Sequence, residues 1–244
     1  MDFCYVWLKR HLGSNVQGFQ KASTRADQEL TVNQTEGRGI VHFTTGLSQI
    51  FKNFTQALKP GGPFAFTYHH NDPEAYLPIA VALLDAGLVC TVTLPCPAEM
   101  GASIHINGTR SSVMDTIFVC RTTGTVSAKA FDTSAENIKR LLEKDLKKLQ
   151  LAKLTPTAGD AYCILLGHLT RQAIWALRPT WREEAPVKDK LERVKAKLQQ
   201  IYPLDLLDQM AQEIISSLSD LDPLANMRVK EGTNRYDDQD EIPF

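Results

Sequence analysis

The chain has 244 residues, 43% of them hydrophobic and 23% charged, with a formal net charge of −1. That is an ordinary balance for one domain, or for a smaller domain with a helical appendage, and it excludes a global attraction for nucleic acid, so any such contact needs a local patch. The five cysteines are scattered without C-x-x-C spacing and the longest apolar runs fall far short of bilayer thickness, which argues against a zinc site, against a membrane span, and for a reducing, cytoplasmic setting.

Taken in chain order, Phe3, Val6, Trp7 and Leu12 fall at helical spacing. Residues 13–39 are polar and aperiodic, which reads as a long surface loop. Leu47, Ile50, Phe51, Phe54 and Leu58 then mark an amphipathic helix, capped by Thr44 or Thr45 and ended by Lys59-Pro60-Gly61-Gly62. An aromatic strand follows from Phe64 to His70. Asp72-Pro73 opens a helix that stops at Gly87. Two more strands are predicted, Leu88–Leu94 and Asp115–Arg121, and the helical crossover between the first two requires them to run parallel. This cadence is that of an α/β sheet.

The second half is helical. Thr133 and Glu136 match a capping box, and Ile138, Leu141, Leu142, Leu146 and Leu149 form one helix face. Further helices are predicted over 160–177, 187–201 and 204–218. The lysines at 144, 147, 148 and 153, interleaved with Glu143 and Asp145, read as a solvated face, as does the cluster from Lys188 to Lys197. The organisation expected is therefore an α/β domain over 1–128, a helical region over 129–228 and a disordered polar tail over 229–244.

Four stretches carry a family resemblance. Met1-Asp-Phe-Cys-Tyr-Val-Trp-Leu-Lys-Arg10 resembles the segment just after the catalytic Asp-Pro-Pro-Tyr motif of the large adenine-specific DNA methylases. Leu58-Lys-Pro-Gly-Gly62 is shared by many class I methyltransferases. Phe66-Thr-Tyr-His-His-Asn-Asp-Pro-Glu-Ala-Tyr76 is more particular to that methylase family, as are Glu99-Met-Gly-Ala-Ser-Ile-His105 and the strand Asp115–Arg121. The resemblance implies the last three strands of a partial Rossmann-like methyltransferase sheet, followed by the helical region. In the complete enzyme it implies S-adenosylmethionine as cofactor, DNA as partner, and a target adenine flipped from the duplex.

The chain contains neither an Asp-Pro-Pro-Tyr sequence nor a glycine-rich turn leading from a strand into a helix. No catalytic, cofactor-binding or metal residues are therefore assigned. The chain is expected to be a fragment or split half, inactive and without cofactor affinity alone, and completed by a separate polypeptide. With the neighbouring strand missing, one edge of the Phe64 strand should expose unpaired amides and part of an aromatic face. Residues on the substrate or DNA side would be Phe3, Tyr5, Trp7, His69, His70, Glu99, Ser103 and His105. Each also has a plainer reading: helix packing for Phe3 and Trp7, local hydrogen bonding for the histidines. The competing view of the whole is a non-catalytic module that docks a partner through its helical half.

Overall fold

The computed structural model describes residues 2–13, 37–97, 114–126 and 134–220, together with 16, 19, 30–32 and 132. It divides into two compact units, residues 1–43 and 44–244. In the first, α1 (Asp2–Leu12) ends with Lys9, Arg10 and His11, where cations complement the helix dipole. Val6 and Trp7 are exposed, so the helical spacing of its apolar residues does not mark a core. Trp7 instead stacks on His11, and Tyr5 on Phe19. The 13–39 loop and the 229–244 tail lie largely or wholly outside the described residues.

Helix α2 (Ile40–Ala57) begins ahead of the expected cap, so Thr44 is buried within it. Its apolar face survives the earlier start, because Thr44, Ser48 and Phe51 follow the same helical stripe. Gly61 takes a φ of 73° and the Gly62 amide donates to the Lys59 carbonyl, turning the chain sharply into β1 (Phe64–Tyr68). Asp72 caps as the sequence predicts, accepting from the Glu74 amide at 2.9 Å, but what it opens is a short 3-10 turn, Pro73–Ala75. That turn leads into α3 (Tyr76–Asp85), every residue of which is buried. Gly87, at φ 68°, then redirects the chain into β2 (Leu88–Pro97).

The sheet closes with β3 (Met114–Thr122), and its order is β1-β3-β2. Both β1 and β2 pair antiparallel with β3. The first two strands therefore do run parallel, but β3 separates them. One face carries Phe64, Phe66 and Tyr68 of β1, Thr116, Phe118 and Cys120 of β3, and Leu88, Cys90 and Thr93 of β2. A bulge between Cys90 and Val92 inserts Thr91, whose hydroxyl donates to the Val119 carbonyl at 3.0 Å.

Helices α2, α3 and α5 (Ala158–Leu177) lie on that face. Phe51 lies 5.0 Å from Phe64 and 5.3 Å from Phe66, Phe54 lies 5.6 Å from Phe64, and Phe66 stacks on Phe118. Helix α2 covers that aromatic face only in part: Phe64 and Phe66 are half-buried and Phe54 is 54% exposed. Other apolar residues left open lie on the opposite face of the sheet.

Four helices complete the second unit. Ser134, rather than Thr133, caps α4 (Ala135–Leu151) by accepting from the Asn137 amide; Thr133 lies outside the described residues. Helix α5 (Ala158–Leu177) opens with a reciprocal capping box between Thr157 and Asp160 and is buried on most sides, as its composition predicts. It lies on the sheet and contacts α6 (Val187–Ile201) and α7 (Leu207–Asp220). Two members of the supposedly solvated charge clusters are buried: Asp145 of α4 and Lys190 of α6. Lys190 reaches Asp85 at 2.9 Å, and Trp181 Nε1 donates to the same carboxylate. The Asp85–Lys190 pair joins helices distant in sequence, which run-by-run charge patterning does not register.

Gly167 marks the closest approach of α5 to the sheet. A Cβ there would lie 2.7 Å from Thr116 Cγ2, well inside contact distance. Helix propensity alone favours alanine over glycine by about 1 kcal/mol. Overpacking costs about 1–3 kcal/mol and should win. Gly167→Ala is therefore expected to lower the urea midpoint, whereas an unchanged or raised midpoint would mean that the interface yields freely.

Candidate functional site

In open α/β sheets ligands bind beyond the carboxyl ends of the parallel strands. Here β1 delivers His69-His70-Asn71-Asp72 to that end, beside the first residues of β3, because β3 runs antiparallel and starts where β1 finishes. His69 Nδ1 lies 2.9 Å from the Met114 carbonyl. A carbonyl only accepts, so Nδ1 carries a proton. The Asp115 carboxylate stands 4.0 Å from Nδ1, and the His69 side chain is 32% exposed.

His70 is set the other way. Its Nδ1 accepts from the Asp72 amide at 2.9 Å, which makes Nε2 the protonated nitrogen and ties the ring to the turn that starts α3. Its carbonyl and the Asn71 side chain accept from the buried Cys163 thiol of α5, so the loop is anchored from below. Tyr68 adds a hydrogen bond from its hydroxyl to the Ala75 carbonyl. Burial pushes the Tyr68 phenol above its ordinary range, and the nearby Asp72 charge acts in the same direction. The end of β1 is therefore a loop braced by hydrogen bonds through His69, His70, Tyr68 and Cys163.

A second polar constellation lies deeper. Thr93 Oγ1 is 2.9 Å from His168 Nδ1, and His168 Nε2 is 3.0 Å from Asp145 Oδ2, while Lys148 donates to Asp145 Oδ1 at 2.9 Å. Hydroxyl, imidazole and carboxylate in line would suit nucleophilic catalysis if a substrate could reach them. Thr93, His168 and Asp145 are each at most 4% exposed, so the chain of bonds is sealed and joins β2, α5 and α4. No local signal in the sequence marks it. Its members are separated by 75 and 23 residues, and only the helical pattern that buries His168 hints at it.

Phe3, Tyr5 and Trp7 belong to α1 of the first unit. Glu99, Ser103 and His105 lie outside the described residues. Gly61 and Gly62 form the α2–β1 turn and open no helix. The described residues thus supply no cradle that fits the methionine or ribose part of S-adenosylmethionine. No three His, Cys, Asp or Glu side chains among them group as metal ligands would, and no helix is long and apolar enough to cross a membrane.

The face of the sheet opposite the helices is the remaining surface of note. Ala65, Val119 and Val92 form one row across it, and Thr67, Ile117 and Leu94 the next. Val92 is 36% and Leu94 38% exposed, while Ile117 and Val119 are half-buried. Comparison of the chain with protein-family models, curated proteins and solved structures finds no match.

Proposed function

We propose that this chain is the C-terminal part of an adenine-specific DNA methyltransferase domain whose cofactor loop and Asp-Pro-Pro-Tyr turn are not among these 244 residues. The observation that carries the reading is the strand order: the last strand enters antiparallel between two strands that run parallel to each other. That is the arrangement which closes a class I methyltransferase sheet. It fits the motif resemblance of Phe66–Tyr76.

Two further features support it. A doubly wound sheet carries helices on both faces, and α2, α3 and α5 all lie on one. The second face presents Val92, Leu94, Ile117 and Val119, residue types suited to burial beneath helices. In addition, β1 is an edge strand of the sheet, where the strand bearing the catalytic turn would join. The docking-module alternative gains nothing comparable, because the long apolar helix α5 is spent on the sheet and on its neighbouring helices.

The test is complementation. Mixing the chain with the N-terminal half of a methylase of this family, S-adenosylmethionine and an adenine-containing duplex should yield methylated adenine, where either half alone yields none. Leu94→Lys, at an exposed position on the open face, should abolish complementation without moving the chain's own thermal midpoint. Methyl transfer by the purified chain alone, or S-adenosylmethionine binding to it in a calorimeter, would overturn the proposal.

A further inference from the structure

We infer that the outer face of α4 docks the sugar-phosphate backbone of duplex DNA, an inference that takes its partner from the methyltransferase reading and rests on it to that extent. Between Asn137 and Gly159 the chain carries the cations Lys139, Arg140, Lys144, Lys147, Lys148 and Lys153 and only two acids, Glu143 and Asp145. Along the sequence the acids interleave with the cations, the pattern of a balanced, solvated face. The fold separates them. All of these cations are exposed, whereas Glu143 is half-buried and Asp145, 4% exposed, turns inward to His168. The local patch that a chain of net charge −1 needs for nucleic acid is therefore present on this helix.

Helical geometry gathers the charge into a stripe. At 3.6 residues per turn, Arg140, Lys144, Lys147 and Lys148 fall within an arc of about 100° that contains no acid. The far side of the helix carries Ile138, Leu142, Leu146 and Leu149, all buried. The four cations cover about 12 Å of helix axis, over which one strand of a duplex presents three or four phosphates. Arg140 also bonds the neutral Asn137 amide, which steadies the guanidinium and leaves its charge, while Lys148 shares its charge with Asp145. The stripe leads to the sheet end where ligands of this architecture lie. Asp145 meets His168, and a short connection joins Leu151 to Ala158, so α4 and α5 are antiparallel. Helix α5 starts beneath the end of β1, where Cys163 bonds the His70 carbonyl, and α4 finishes at that same end. An anionic lipid surface is the rival partner, but a helix held there inserts an apolar face. Helix α4 has turned its apolar face to the interior, leaving Leu151 as the apolar residue among these cations.

The experiment follows the whole chain binding a fluorescein-labelled DNA duplex by anisotropy as salt is raised. Four neutralised phosphates give a log–log slope of about −3.6, or roughly 150-fold weaker binding between about 20 and 80 mM salt. The triple variant Arg140→Gln/Lys144→Gln/Lys147→Gln should flatten the slope to about −0.9, and Lys144→Gln alone should reduce it by about 0.9. Lys148 is kept as the partner of Asp145, so the thermal midpoint of either variant should not move. Lys188→Gln/Lys195→Gln/Lys197→Gln removes the same charge from α6 and should bind as the wild type does. No binding at the lowest salt, equal losses in the two triple variants, or tighter binding to vesicles of phosphatidylserine and phosphatidylcholine than to the duplex would each overturn the assignment. The parent reading fails separately. If the chain binds duplex through α4 but never complements, the methyltransferase reading falls and the surface stands; if it complements and the α4 triple variant keeps the wild-type KM for duplex, only the surface falls.

Discussion

Replacing Lys190 by methionine is expected to destabilise the second unit by about 3–5 kcal/mol, the cost of leaving a buried charge without its partner. Asp85 and Lys190 meet at 2.9 Å, and both residues are at most 6% exposed. Asp85 ends α3, Lys190 sits in the first turn of α6, and Trp181 Nε1 holds the same carboxylate from the intervening segment. Methionine retains most of the lysine stem, so the loss reports charge and not volume. Urea unfolding of Lys190→Met beside the double variant Asp85→Asn/Lys190→Met makes the comparison. The double variant should recover a large part of the loss, since no bare charge remains. A single variant within error of wild type would mean that Asp85 reaches water.

The second large effect is expected at His168. Exchanging it for leucine takes the partner from the buried Thr93 hydroxyl and leaves Asp145 with Lys148 alone, for about 1–3 kcal/mol. Acid should reproduce part of this loss. Burial raises the Asp145 pKa, but the hydrogen bonds from His168 and Lys148, with their charges, outweigh it and leave the carboxyl below its ordinary value. A group depressed in the folded state contributes stability above its unfolded pKa, about 3.9 for aspartate, and loses it as pH falls through the lower folded value. Stability of the wild type should therefore decline below about pH 4 more steeply than that of Asp145→Asn. Parallel acid limbs for the two proteins would show that Asp145 is not linked to folding.

The sequence made legible what local chemistry decides. The bounds predicted for α6 agree with the structure, because its apolar stripe is clean and proline bounds both ends. The Asp72 cap and the Gly87 stop are also single-residue signals. The capping box at Thr157 and Asp160 was available in the same way and was passed over, because aspartate stands where glutamate is the usual signal.

What could not be read is whatever depends on distant pairing. The insertion of β3 between β1 and β2 is a choice of partner, and each strand's own pattern is silent on it. Asp145 and Lys190 belong to charged stretches that look solvated, and only the positions of His168 and Asp85 show that they are interior. At the candidate site, His69 was legible as a strand-end histidine. The fate of its proton was not, since that is set by the carbonyl of Met114, 45 residues away.

The two edges of the sheet differ in a way that bears on self-association. Strand β2 is broken by its bulge, and the Cys90 carbonyl there accepts from Trp175 Nε1 and, more weakly, from Arg171 Nε, so side chains of α5 obstruct it as a template. Strand β1 pairs without interruption along its length. A molecule with one competent edge can join a single neighbour through it and then has nothing left to offer. Accidental strand exchange between copies would terminate at pairs instead of propagating into fibres.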